Sequence, residues 1–204
     1  GCVINLVSGS GGDVGDPVLA DPHLAGIHFT GSTKVFHQMW RTVGNNIDKY
    51  RGYPRLVGET GGKDFIIAHA SADPVALATA LVRGAFEYQG QKCSAASRAY
   101  IPSNLWPTVR DALADQVAGI RMGDVADFSN FMGAVIDGAS FRTQKAAIEE
   151  AKAANDAEIL VGGECDDREG WFVRPTVIVT KNPSYRTLCE ELFGPVLTIH
   201  VYDE

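Results

Sequence analysis

Two short stretches of the chain combine residue types that could do covalent chemistry. Glu59-Thr60-Gly61-Gly62-Lys63 sets a carboxylate on a glycine-rich turn, and Gly90-Gln91-Lys92-Cys93-Ser94-Ala95 sets a cysteine in a polar segment that opens on a glycine. They read as a base and a nucleophile. A thiol attacks well only as thiolate, or with a base and electropositive surroundings to help it there, and Lys92 adjoins Cys93 while Glu59 could come from a separate strand end. Gly61-Gly62 lets the backbone turn beside a ligand, and a Glu near apolar strands can have its pKa raised toward working pH. A third stretch, Glu190-Glu191-Leu192-Phe193-Gly194-Pro195, offers further carboxylates and an aromatic next to a turn.

Holding these groups takes a set of short strands and helices. Residues 3–7 and 27–29, the latter preceded by Leu24-Ala25, are apolar runs followed by Gly/Ser and then by a helix-like stretch, which is the strand, turn, helix rhythm of an α/β fold. After Thr30-Gly31-Ser32-Thr33, the residues Val35, Phe36, Met39, Trp40 and Val43 fall on one helical face. That helix start could be a plain N-cap or, through its free N–H groups and macrodipole, an anion site. Short strands at 55–57 and 65–68 flank the Glu59 turn.

Asp73-Pro74 marks a helix start, and Leu77, Ala78, Leu81, Val82, Ala85 and Phe86 form an apolar stripe that ends near Gly90, so Cys93 falls on the following loop. A strand at Tyr100-Ile101 and helices over 107–120 and 140–155 come next, the last with Ala146, Ala147, Ile148 and Ala151 on its buried side. Strands follow at 159–161, 172–173, 176–179 and 196–201. The expected boundary lies near Gly61-Gly62.

The composition is that of an ordinary globular chain, 45% hydrophobic and 21% charged. A net charge of −7 without a basic cluster argues against nucleic acid or an anionic membrane as partner. Cys2, Cys93, Cys165 and Cys189 are far apart and no His cluster accompanies them, which argues against a zinc site or a disulfide framework. No apolar run approaches the ~20 residues that span a bilayer. Gly9-Ser10-Gly11-Gly12-Asp13-Val14-Gly15 resembles a dinucleotide fingerprint, but the third required glycine is Val14, and Gly61-Gly62-Lys63 is no P-loop.

The forms Gly58-Glu59-Thr60-Gly61-Gly62-Lys63-Asp64-Phe65 and Phe86-Glu87-Tyr88-Gln89-Gly90-Gln91-Lys92-Cys93-Ser94-Ala95, followed by Glu190 to Pro195, resemble the signature stretches of the aldehyde dehydrogenase superfamily, in that family's order. Thr60 stands where generic members usually have Leu, and the wording of both stretches resembles the branch of L-glutamate γ-semialdehyde (1-pyrroline-5-carboxylate) dehydrogenases. The likeness runs from Val3-Ile4-Asn5-Leu6-Val7-Ser8-Gly9 through Phe29-Thr30-Gly31-Ser32 to Val201-Tyr202.

The resemblance implies an α/β fold in which residues 1–60 end a Rossmann-type NAD-binding domain and residues 61–204 belong to the catalytic domain. It implies NAD-dependent oxidation of L-glutamate γ-semialdehyde to L-glutamate through a thiohemiacetal and a thioester on Cys93. Glu59 would activate the hydrolytic water and Ser94 would contact the amino-acid end of the substrate. Gly31, Ser32, Thr33, Lys34 and Val35 would line the cofactor pyrophosphate, Glu191 would hold the nicotinamide ribose and Phe193 would pack by the nicotinamide. No metal is implied. A homo-oligomer is expected, cytoplasmic in a bacterium and in the mitochondrial matrix in a eukaryote.

Gly1 is not an initiator methionine, and the chain reads as an internal piece that would be inactive alone, since the second oxyanion donor of the resembled family would lie upstream. The alternatives are another aldehyde dehydrogenase or the dehydrogenase half of a bifunctional proline-oxidising enzyme. A cysteine peptidase of the caspase type, suggested by Gln91-Lys92-Cys93 with His37 upstream, fails because that signature wants Gly where Ala95 stands.

Overall fold

The computed structural model describes residues 3–203, so readings that fall on Gly1, Cys2 or Glu204 lie outside the described residues. Contacts divide the chain into two compact units, Gly1–Gly61 and Gly62–Glu204.

The first unit is built on one parallel strand pair with a helix between. A helical turn at Gly11–Gly15, capped by Ser10, leads into α1 (Asp16–Ala20), then β1 (Gly26–Thr30), α2 (Thr33–Asn45) and β2 (Arg55–Glu59). β1 and β2 pair in parallel from Gly26 opposite Arg55 to Thr30 opposite Glu59, so the Gly31 turn and the Glu59 turn leave the same end of the ribbon. Leu19, Val43 and Tyr50 form a small core, closed by the Tyr50 hydroxyl donating to the Leu19 carbonyl at 2.6 Å.

One expectation fails in this unit. Residues 3–7 form no strand, and Val3, Ile4 and Leu6 are each more than 90% exposed. A strand is stable only when its N–H and C=O groups find a neighbouring ladder, and β1 and β2 pair with each other alone. On α2 only Val43 of the five-residue stripe is buried, while Val35 and Trp40 are exposed. Periodicity tells which side chains share a face, not that something covers it.

The second unit holds a five-stranded sheet with helices on both faces. Its elements are β3 (Phe65–Ile67), α3 (Pro74–Phe86), β4 (Arg98–Pro102), α4 (Trp106–Ala118), α5 (Gly138–Ala153), β5 (Ala157–Val161), β6 (Cys165–Asp166), β7 (Phe172–Val173), β8 (Thr176–Thr180), α6 (Arg186–Cys189) and β9 (Val196–Tyr202). The order across the sheet is β3-β4-β9-β8-β5, parallel throughout except for β5, which runs antiparallel on β8. The short pair β6 and β7 lies apart.

Alternation along the central strands divides the core. Val177, Leu197 and Ile199 join Leu81, Phe86, Val109 and Leu113 under α3 and α4, whereas Ile178 and Val196 join Phe141, Ile148 and Leu188 under α5 and α6. β8 is buried at every position, as a strand covered on both faces must be. Asp73 caps α3 by accepting from the Ala76 amide at 2.7 Å, and Asp137 caps α5 by accepting from Ser140 at 2.7 Å. All six residues of the α3 stripe are buried. On α5, Ala147, Ile148 and Ala151 are buried but Ala146 is exposed, its expected place being taken by Phe141 and Gln144.

Candidate active site

The α-helix α3 stops at Phe86, and the chain then turns tightly through Tyr88 (φ 53°), Gln89 (φ 58°) and Gly90 (φ 66°). Two non-glycine residues in the left-handed region need outside support. Gln89 provides it by accepting from the Gly133 amide at 3.2 Å and donating to the Ala134 carbonyl at 3.2 Å, and Gln91 accepts from the Ile136 amide at 2.9 Å. A further turn, with Ala95 N–H donating to the Lys92 carbonyl, carries Cys93 and Ser94 outward, both exposed. The Cys93 amide has no hydrogen-bond acceptor among the described residues. Beside the thiol, the Lys92 ammonium lies 3.1 Å from Glu87 and 6.0 Å from the centre of the Tyr88 ring. Lys92 and Arg83 hold the Glu87 carboxyl below its ordinary range.

Three segments distant in sequence meet at this turn. The Gly62 amide donates to Glu191 Oε1 at 3.0 Å, and a Cβ on Gly62 would lie 2.9 Å from the Cys93 carbonyl oxygen. A Cβ on Gly90 would lie 2.5 Å from the Gly194 carbonyl oxygen and 2.8 Å from that of Ala85. Close backbone approach is therefore what these glycines supply. Phe193, left-handed at φ 54° and 43% exposed, sits on the rim beside Glu191.

Lys63 also lines this cleft, together with Gly62, Ser97, Glu191 and Phe193. Its ammonium donates to Ser97 Oγ at 2.9 Å. Burial and then the neighbouring Arg98 push its pKa down to about 8, against a counter-pull from Glu191, Cys189 and Glu190. Arg98 ties the floor together, donating to the Lys63 carbonyl at 3.2 Å and the Leu188 carbonyl at 3.1 Å while stacking over Phe65. Sequence reasoning passed over Lys63, Ser97 and Arg98. The signal for Lys63 was its place directly after Gly61-Gly62; Ser97 and Arg98 carried none.

In the first unit, Ser32 caps α2, its Oγ accepting from the Val35 amide at 3.3 Å. The Thr33 and Lys34 amides have no acceptor among the described residues, so two free donors point out of the helix start. Gly31 donates to the Glu59 carbonyl at 3.1 Å, so the Gly31 to Val35 turn and Glu59 are joined by backbone. Glu59 itself ends β2, exposed. Phe29 and Phe36 stack with centroids 5.7 Å apart, and side chains on Gly31 and Gly58 would run into these rings.

Among the described residues no group of His, Cys, Asp and Glu could hold a metal ion, and no helix is long and apolar enough to cross a membrane. The profile of the aldehyde dehydrogenase family matches residues 2–204. Mitochondrial Δ1-pyrroline-5-carboxylate dehydrogenase of Dictyostelium discoideum is 52% identical over 99% of this chain and 37% of its own length, and that of Danio rerio is 48% identical over 99% and 36%. The crystal structure of the Δ-pyrroline-5-carboxylate dehydrogenase from Mycobacterium tuberculosis bound with NAD superposes with a TM-score of 0.92 at 56% identity, covering 98% of this chain and 36% of that one. The chain thus spans a little over a third of the length of the relatives it matches.

Proposed function

The chain belongs to the aldehyde dehydrogenase family, and on that premise we propose that the enzyme carrying it oxidises L-glutamate γ-semialdehyde, the open form of 1-pyrroline-5-carboxylate, to L-glutamate with NAD. The observation that carries this reading is the meeting of Gly62-Lys63, the Cys93 turn and Glu191 to Gly194 at one cleft. The relatives quoted above are named for this substrate.

The Cys93 sulfur, exposed on its turn, attacks the aldehyde carbon, and the Cys93 amide, which has no acceptor among the described residues, donates to the oxyanion that forms. The donor sets fit NAD: the free amides at Thr33 and Lys34 with Gly31, Ser32 and Val35 suit the pyrophosphate, and Glu191 and Phe193 suit the nicotinamide riboside. The hydride acceptor would be supplied by NAD when bound. Departure of hydride from the thiohemiacetal carbon leaves a thioester on Cys93. Glu59 takes a proton from the water that hydrolyses it, releasing the carboxylate product and the thiol. Ser94 contacts the amino-acid end of the substrate.

In this reading residues 1–60 close the NAD-binding domain and residues 61–204 form part of the catalytic domain. The whole enzyme is a homo-oligomer, cytoplasmic in a bacterium and in the matrix in a eukaryote, in keeping with the mitochondrial names of the eukaryotic relatives. The test is NADH formation by that enzyme with 1-pyrroline-5-carboxylate against acetaldehyde and succinate semialdehyde. A strong preference for the first is expected, and equal turnover of all three would overturn the substrate assignment.

A further inference from the structure

Gln144 is 0% exposed, in the middle of α5, with Phe141, Ala147 and Ile148 as its buried companions on that helix. A primary amide in such a place is costly unless its donors and acceptor are used. Only one end is engaged: Nε2 donates to the Leu192 carbonyl at 2.6 Å, and Oε1 has no partner among the described residues. Leucine or methionine would fill the same space without that cost, so the hydrogen bond to Leu192 is what the glutamine contributes.

Its target is the peptide between two site residues. Glu191 precedes Leu192 and Phe193 follows it in the left-handed region, a conformation a phenylalanine keeps only when its neighbours hold it. Gly194 completes the fit, because any Cβ there would overlap the Gln144 amide. From the other side, the Gly90 turn presses on the Gly194 carbonyl and the Gly62 amide holds Glu191. The loop is thus clamped between the cleft and α5, whose apolar face shares a core with Leu192 while Gln144 supplies the hydrogen bond.

We infer that Gln144 is a positioning residue for cofactor binding, setting Glu191 and Phe193 through the Leu192 carbonyl. The inference rests on the proposed assignment of Glu191 and Phe193 to NAD.

The test uses the enzyme that carries this chain. Gln144→Met keeps the length and removes the donor; we expect KM for NAD to rise about tenfold, which is about 1.4 kcal/mol, with a smaller change in kcat and an unchanged rate of Cys93 alkylation by iodoacetamide. Gln144→Glu adds a readout that a merely structural role would not move. Its buried carboxyl titrates above the ordinary range, so at about pH 6 it is neutral and donates to Leu192, and at about pH 9 it is ionised and repels that carbonyl. The ratio of its KM for NAD to the wild-type value should lie near one at the lower pH and climb at the higher.

A ratio raised equally at both pH values, or unchanged at both, overturns the inference, and Gln144→Glu decides alone if Gln144→Met does not fold. Glu191→Gln separates the two levels. If it leaves KM for NAD unchanged, the assignment of Glu191 fails and the inference with it; if it raises KM while the Gln144 variants do not, the positioning role alone fails.

Discussion

The Gly62 amide and the Glu191 carboxylate are joined by a 3.0 Å hydrogen bond between residues 129 positions apart. That bond links the start of the second unit to the turn before β9, and both partners border the Cys93 loop. It also makes Gly62 more than a flexible position: its amide is a donor to a site carboxylate and its missing side chain admits the Cys93 carbonyl.

The exposed position of Cys93 leads to a labelling order. Cys93 and Cys189 are exposed, whereas Cys165 is half-buried and burial pushes its thiol up. Under limiting iodoacetamide at neutral pH, peptide mapping should find Cys165 modified more slowly than Cys93 and Cys189. Cys93→Ala should abolish aldehyde oxidation and leave NADH binding within a few-fold, as read by NADH fluorescence.

Glu59 is assigned to the water and not to the thiol, so its loss should act late. In Glu59→Gln a pre-steady-state burst of NADH should survive while steady turnover falls by about a hundredfold or more, the usual size of a general-base contribution. Equal loss of burst and turnover would move Glu59 to activation of the thiol.

Lys63 should titrate well below the other lysines. Its pKa falls from 10.5 to about 8, so competitive labelling with acetic anhydride should show its reactivity rising through about pH 8 while exposed lysines follow two pH units or more later. The sign for stability follows: the folded state disfavours the charged form, a cost present in full below about pH 8 and relieved as pH climbs toward 10.5, where the unfolded chain also loses the proton. A Lys63 whose reactivity midpoint sits with the surface lysines would contradict the burial seen here.

Gly90→Ala should hurt stability and site together. A side chain there meets the Gly194 and Ala85 carbonyls and must also hold φ at 66°. Strain and overpacking of this kind cost on the order of 2–3 kcal/mol. A thermal shift of several degrees should be accompanied by slower alkylation of Cys93, and a variant with wild-type melting temperature would disprove the close approach.

What could be read from the sequence was what is local. The stripe from Leu77 to Phe86 was legible because six apolar side chains at helical spacing have one common explanation, and each is buried. Cys93 stood out by its polar, glycine-bounded setting, whereas Glu191 and Phe193 were singled out through the family resemblance. Ala146 misled because a methyl group reports little about which side faces the core, and Gln144 was invisible because its partner Leu192 lies 48 positions away. Residues 3–7 have the composition of a strand, but composition cannot supply the ladder a strand needs. Lys63, Ser97 and Arg98 become a set only when β3 and β4 pair, with Phe65 opposite Arg98.

The position of β9 has a consequence for synthesis. This strand, at Val196–Tyr202, lies at the middle of the sheet between β4 and β8, although it follows all four of its sheet partners in chain order. Until it leaves the ribosome, β3-β4 and β8-β5 have no strand between them, and Val177, Ile178 and Ile101 still lack their shared neighbour. The nascent chain therefore carries the open edge of β4 through the synthesis of α4, α5 and β5 to β8, a state on which holding chaperones act and from which aggregation starts.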